Sequence, residues 1–180
     1  MEKGNIKIVT VLIVLGISLG LLLGVQKYYN NSFVKEPVKQ SLEQLSFVES
    51  VDASQVNGIY DYRVQIKKYG NVQYEYQKVD ELIAADLEGK EYQFTLLDHR
   101  SPKLQKDLED LQLSIYEAMA KNNYLWLDEI FRQKAAANGF SYKLYIDDER
   151  LYIQLKDQDA FLYEIIERSS PQSEETGKGE

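Results

Sequence analysis

The chain has 180 residues, which is enough for one domain and an appendage. Its 29 Asp and Glu residues outnumber 21 Lys and Arg residues, and the net charge of −8 excludes nucleic-acid binding through a basic face. With no cysteine and a single histidine, disulfide staples, thiol nucleophiles and Cys- or His-rich metal sites are excluded, so we expect no metal and no cofactor.

The N-terminal segment is the most apolar part of the chain. From Ile8 to Val25 there are eighteen residues without a charged side chain, and only Thr10 and Ser18 are polar. A helix of that length rises about 27 Å, close to the ~30 Å hydrocarbon core of a bilayer. We therefore predict a transmembrane anchor at residues 8–26.

The flanks of this segment favour an uncleaved anchor. A cleaved signal peptide usually has an apolar region of about 7–15 residues that ends at small residues, whereas the first alanine here is Ala53. Basic residues are almost equally frequent on both sides, so the orientation rests on the short cationic tail at 1–7. We expect this tail inside and the body outside the cytoplasm. The residues predicted at the membrane interface are Lys7, Lys27, Tyr28 and Tyr29.

Three glycines recur at every fourth position inside the predicted anchor. Gly16, Gly20 and Gly24 form two overlapping G-x-x-x-G units on one helix face. Small residues let membrane helices approach closely, so the pattern predicts pairing of two copies through the anchor. The alternative is that glycine is simply frequent in membrane helices.

The first half of the body alternates between strand and helix patterns. A short amphipathic helix is predicted around 38–45, and strands are predicted at 60–66 and 92–97, where apolar and polar residues alternate. Residues 79–87 have helical spacing. The preceding segment, 72–76, fits a strand or a helix.

The second half predicts a helical hairpin. Ser101 followed by Pro102 is typical of a helix start, because the hydroxyl caps the helix and proline lacks the N–H that would remain unpaired. The apolar stripe of this first helix comprises Leu104, Leu108, Leu111, Ile115 and Met119. A second amphipathic helix follows Asn122–Asn123, and the short connection makes the two helices neighbours. The second stripe comprises Trp126, Leu127, Ile130 and Phe131.

The last ordered segment predicts a three-stranded antiparallel meander. Apolar residues alternate at 142–146, 151–155 and 161–165, with acidic turns between the three runs. The inner face of the meander should pack on the stripes of the helical hairpin, since neither surface is stable in water.

Together these patterns predict an α+β protein with a single N-terminal transmembrane helix. Its one globular domain has a helical hairpin packed on a mostly antiparallel sheet that ends in the meander. The final segment is polar and is predicted to be disordered. The predicted units are an N-terminal tail at 1–7, the anchor at 8–26, a linker at 27–36, the domain at 37–168 and a C-terminal tail at 169–180.

One segment suggests a ligand site. Asp98, His99, Arg100 and Ser101 follow a strand and precede the long helix. The free N–H groups of a helix N-terminus, with Arg100 and a protonated His99, suit a small anion or a carboxylate of a partner. The alternative is a strand-to-helix turn in which Asp98 and Ser101 satisfy backbone donors.

Other chemistry is not indicated. The sequence holds no nucleophile elbow, phosphate-binding loop or H-E-x-x-H motif, so we predict no catalytic residues. The acidic segments 147–149 and 157–159 are typical of turns and lack the calcium-loop pattern. Tyrosine is abundant, with 14 residues, which suits strand packing and, alternatively, protein or sugar contact.

These features predict a non-enzymatic interaction protein. Its partners would be the lipid bilayer, a protein not identifiable from the sequence, and a second copy through the anchor; nucleic acid is excluded. The alternatives are an extracytoplasmic domain that binds or senses a small anion at Asp98–Ser101, and a carboxylate-dependent hydrolase, whose carboxylate pair the sequence does not identify.

Overall fold

The structure, a computed structural model, describes the backbone of residues 3–30 and 36–168; within the first helix, side chains are described for 12–25. These residues form five helices and six strands. The helices are α1 (Lys3–Asn30), α2 (Glu36–Glu43), α3 (Val72–Leu87), α4 (Pro102–Lys121) and α5 (Tyr124–Asn138). The strands are β1 (Val48–Val56), β2 (Ile59–Ile66), β3 (Tyr92–Leu97), β4 (Ser141–Ile146), β5 (Arg150–Asp157) and β6 (Ala160–Glu167).

The first sheet has the strand order β1-β2-β3. β1 and β2 form an antiparallel hairpin around Asn57 and Gly58, which both have positive φ, as a tight two-residue hairpin turn requires. β2 and β3 are parallel, and α3 is the crossover that connects them. The ambiguous segment after Gly70 is helical, because the Asn71 side chain accepts a hydrogen bond from the Tyr74 N–H and caps α3.

The second sheet is the predicted meander, with the order β4-β5-β6 and antiparallel pairing throughout. The α+β class is thus confirmed. The prediction of a single sheet is wrong: the strands divide into two three-stranded sheets. Within the described residues, one isolated backbone bridge, from His99 to Phe161, joins the two sheets.

The central strand of the meander, β5, is buried on both faces. Leu151, Ile153 and Leu155 lie in the core formed with α4 and α5, so the predicted packing of the helical hairpin on the meander is confirmed. Tyr152 and Tyr163 point the other way, into the core shared with α2, α3 and the first sheet. Each fully buried large apolar side chain contributes roughly 1.5–3 kcal/mol, and β5 contributes to both cores.

The described part of α1 carries apolar side chains that nothing in the fold buries. Ten large ones between Leu12 and Val25 are 57–68% exposed. Space is open beside the three glycines of the predicted pairing face, Gly16, Gly20 and Gly24.

Among the described residues, no helix combines the length and the apolar character that a membrane crossing needs. The predicted anchor at 8–26 therefore remains a prediction. The side chains of Lys7, Lys27, Tyr28 and Tyr29 lie outside the described residues, as do residues 31–35 of the predicted linker and the tail at 169–180.

Candidate functional site

The segment at Asp98–Ser101 lies where the two sheets meet. The side chain of Asp98 is only 3% exposed, and its carboxylate accepts a hydrogen bond from the N–H of Tyr163 on β6 at 2.8 Å. It also accepts from the backbone N–H of Arg100. Asp98 therefore links the end of β3 to the edge of β6.

Arg100 forms its hydrogen bonds at the same junction. Its guanidinium donates two hydrogen bonds of 2.9 Å to the Asp98 carboxylate and one of 3.1 Å to the carbonyl of Tyr163. It also donates to the side-chain oxygen of Gln105 on α4. The hydrogen bond from Arg100 to Asp98 raises the pKa of the guanidinium further. An anion bound here would have to compete with Asp98.

The other two predicted residues are placed differently. His99 is half exposed; its ring packs edge-on against Phe161, and its Nε2 lies 3.8 Å from a carboxylate oxygen of Glu49. Ser101 caps α4 by accepting a hydrogen bond from the N–H of Leu104 at 3.2 Å. All four predicted residues thus have structural contacts, and the anion site stays a prediction.

Beyond this junction, no backbone hydrogen bond of the described residues joins β3 and β6, and both strands line a cavity. We define the β3–β6 gap as the space between residues 94–96 and residues 163–167. The strands run antiparallel, and the bond from the Phe161 N–H to the His99 carbonyl, at 3.0 Å, is the last direct backbone contact between them in the described chain. At the following position of β6, the N–H of Tyr163 donates to the Asp98 carboxylate and not to a backbone carbonyl of β3.

Two cavities share residues of this gap. One, of about 260 Å³, lies between the sheets over Tyr76 and is also lined by Phe94, Arg150 and Tyr163. Aromatic rings form much of its wall: the centroid of Tyr76 is 4.6 Å from that of Phe94, and the Arg150 guanidinium lies 5.0 Å above Tyr76.

The second cavity, of about 190 Å³, lies along the flank of α4. Leu108, Ile115 and Tyr116 of α4 line it together with Ile166 of β6. Arg100 and Glu164 line both cavities.

Acidic groups on β6 give the gap its charge. Burial raises the pKa of Glu164; Arg100 partly offsets this increase, and Asp98 adds to it. Glu167 lines the cavity over Tyr76 as well. The two arginines at the gap already have carboxylate partners, Asp98 for Arg100 and Glu149 for Arg150.

A second unusual group is the buried carboxyl of Glu75 on α3, which is 3% exposed. Burial raises its pKa from 4.5 to about 7, although a hydrogen bond with Tyr163 and the charge of Lys68 partly offset the effect. Gly70 lies directly beside it: a Cβ on that residue would lie 1.9 Å from a Glu75 carboxyl oxygen, so a larger residue there would displace the Glu75 carboxyl. The Tyr163 hydroxyl also accepts from the Gly70 N–H at 2.8 Å.

The sequence analysis missed both the gap and Glu75. Glu75 had a readable signal, because it lies on the helical stripe of Val72, Val79 and Ile83, where an acidic residue is unusual. The gap had no such signal, because it depends on two strands that are far apart in the chain.

The described residues hold no group of three or more side chains placed to bind a metal ion. Compared with protein families, with curated proteins and with solved structures, the chain shows no significant match in any of the three.

Proposed function

We propose that this chain is a single-pass membrane protein whose α+β domain lies outside the cytoplasm and binds a protein partner without catalysing a reaction. The observation that carries the proposal is the uncharged run from Ile8 to Val25, which belongs to the continuous helix α1. The proposal accounts for its apolar surface, since large exposed apolar surfaces of this kind are covered by lipid or by another protein.

The first test concerns the anchor. Thirteen Ile, Val and Leu side chains between Ile8 and Val25 together favour membrane insertion by about 4–8 kcal/mol. Replacing Leu15, Ile17 and Leu19 with Arg costs about 8–10 kcal/mol and should outweigh that gain. We expect the wild-type chain to stay in the membrane pellet after alkaline carbonate extraction and the triple variant to move to the supernatant.

A matched control places the same three charges on the body. Leu113, Tyr116 and Leu125 are 54–89% exposed, so their replacement by Arg should leave extraction unchanged. Because the chain has no cysteine, Asp148→Cys also allows the domain to be located with a membrane-impermeant maleimide in intact cells. Release of the wild-type chain by carbonate would contradict the anchor, and labelling only after lysis would contradict the orientation.

The partner is tested by copurification. Membranes are first crosslinked and then solubilised in mild detergent, and we expect the full chain to copurify with a protein partner. In that complex, we expect the Arg100 and Glu164 side chains to be protected from chemical modification. Recovery of the chain alone and as a monomer would contradict the interaction role.

Pairing through the anchor extends this proposal to a second copy. Gly16, Gly20 and Gly24 lie on one face of α1, and no described side chain fills the space beside them. Close backbone approach over small residues is the main route by which membrane helices pair.

A further inference from the structure

We propose that an extended segment of the partner protein inserts as a β-strand into the β3–β6 gap and joins the two sheets. This inference rests on the proposed interaction role and specifies how the partner binds. It draws on three features of the gap: its backbone groups, its two cavities and its charge.

The backbone of both bordering strands presents unpaired groups to the gap. The bond from the Tyr60 N–H to the Glu91 carbonyl shows that the odd-numbered residues of β3 pair with β2, so the N–H and C=O groups of Phe94 and Leu96 point outward. On β6, Phe161 and Tyr163 bond toward the β3 side, and alternation places the groups of Ile165 on that side too. No hydrogen bond of the described residues connects these groups across the gap.

An inserted strand would satisfy both edges at once. Since β3 and β6 are antiparallel, the strand would be parallel to one and antiparallel to the other. Addition of a strand at an open sheet edge gains affinity from main-chain hydrogen bonds and specificity from pockets for alternate side chains.

The two cavities supply such pockets. Successive side chains of a strand point to opposite faces of a sheet. One set would enter the aromatic cavity over Tyr76, and the other would lie along Leu108 and Tyr116 of α4. Arg100 and Glu164 line both cavities, so the two pockets meet at the gap.

Charge indicates a basic segment. Glu164 and Glu167 line the gap, while Arg100 and Arg150 are neutralised by their own carboxylate partners. A lysine beside Glu164 would compensate a half-buried carboxylate. We therefore expect a segment in which Lys or Arg alternates with apolar residues.

This charge argues against two other occupants. The C-terminal tail of the chain follows β6, but its sequence carries Glu174, Glu175 and Glu180 against Lys178 and has few strand-forming residues. A second copy brings another acidic domain, and like charges repel.

The test uses the full chain in a non-ionic detergent and four acetylated, amidated heptapeptides in which Lys alternates with Val, Ile, Tyr or Phe. We expect at least one to bind with a dissociation constant below about 1 mM by calorimetry, and to slow amide hydrogen exchange at Phe94, Leu96 and Ile165. Methylating alternate peptide nitrogens removes the donors for one edge only. Two methylated forms of the peptide, one for each set of alternate nitrogens, should each bind at least about tenfold more weakly than the unmethylated peptide. The reason is that the inserted strand needs hydrogen bonds to both β3 and β6.

Charge variants provide the second arm. Glu164→Lys should weaken binding by about tenfold or more, while Asp52→Lys, an exposed site on β1 that lines neither cavity, should change it less than about twofold. Thermal unfolding must show that Glu164→Lys is folded; if it is not, Glu164→Gln takes its place, with an expected loss of about threefold.

Three outcomes would overturn the inference. The first is that none of the peptides binds, and the second is that the methylated peptides bind as tightly as the unmethylated one. The third is an increase of about tenfold in peptide affinity when the chain is truncated after Arg168, which would show that the C-terminal tail occupies the gap. The measurement does not depend on the membrane. If no peptide binds but the chain resists carbonate extraction, the strand-insertion inference is wrong and the proposed function is unaffected. If carbonate releases the chain from membranes, the proposed function is contradicted, whether or not the peptides bind.

Discussion

Glu75 lies on the buried face of α3, where an ionised carboxylate is costly. Transfer of a charge out of water is unfavourable unless it is fully paired, and one oxygen of Glu75 has no hydrogen-bond partner within the described structure. Burial accordingly raises its pKa to about 7. We therefore expect this residue to make the stability of the fold depend on pH near neutrality.

The direction of this dependence follows from the two protonation states. Between about pH 4.5 and pH 7 the native state keeps the Glu75 proton and the unfolded state loses it, so the free energy of unfolding falls as the pH rises. The full loss is roughly 3 kcal/mol above pH 7. We expect Glu75→Gln to remove this slope and to be more stable than wild type at pH 8.

Urea unfolding at pH 5 and pH 8 measures this, with fluorescence of Trp126, the single tryptophan. Glu91→Gln is the control, because Glu91 is exposed and the wild-type slope should persist in that variant. Parallel pH profiles of wild type and Glu75→Gln would show that the buried carboxyl does not titrate in this range.

At the scale of elements, capping residues fix where the helices begin. Ser101 and Pro102 start α4 as the sequence predicted, because the hydroxyl serves the N–H of Leu104 and proline occupies the first helical position. The start of α3 was ambiguous, because Val72, Tyr74 and Tyr76 alternate as in a strand. Asn71 decides it, since its side chain caps a helix.

The cap of α4 can be tested by a single change. Ser101→Ala leaves the Leu104 N–H without its acceptor and should lower the free energy of unfolding by about 1 kcal/mol. Ser101→Asp, which keeps an acceptor, should restore most of it. Ser114→Ala, inside the same helix, removes a hydroxyl without removing a cap and should be neutral or slightly stabilising. Equal losses at both serines in urea unfolding would refute the capping role.

At the scale of the whole molecule, the pairing of two copies belongs to the proposed anchor. Gly20→Leu places a bulky side chain in the middle of the glycine face and should convert a dimer to a monomer, because the helix backbones can no longer approach closely. Leu22→Phe adds bulk on the opposite side of α1 and should leave the dimer intact. Crosslinking in detergent measures both, and a monomeric wild type would exclude pairing.

The sequence by itself determined the α+β class, the meander, the helical hairpin and its cap at Ser101. All of these depend on local periodicity or on residues within one turn of each other. The apolar run from Ile8 to Val25 is equally plain in the sequence, but its role as an anchor concerns a lipid environment and awaits the extraction experiment.

Only the tertiary structure decided how the strands divide. Asp98 and Arg100 are two residues apart in sequence, yet they bond to Tyr163 and hold β3 and β6 at one end only, which gives two sheets and the β3–β6 gap. Glu75 likewise acquires its raised pKa only when folding buries it, and the hydrogen bond with Tyr163 partly offsets that increase. Pairings between distant segments leave no periodic trace in a single sequence, because register and burial arise when the chain is folded.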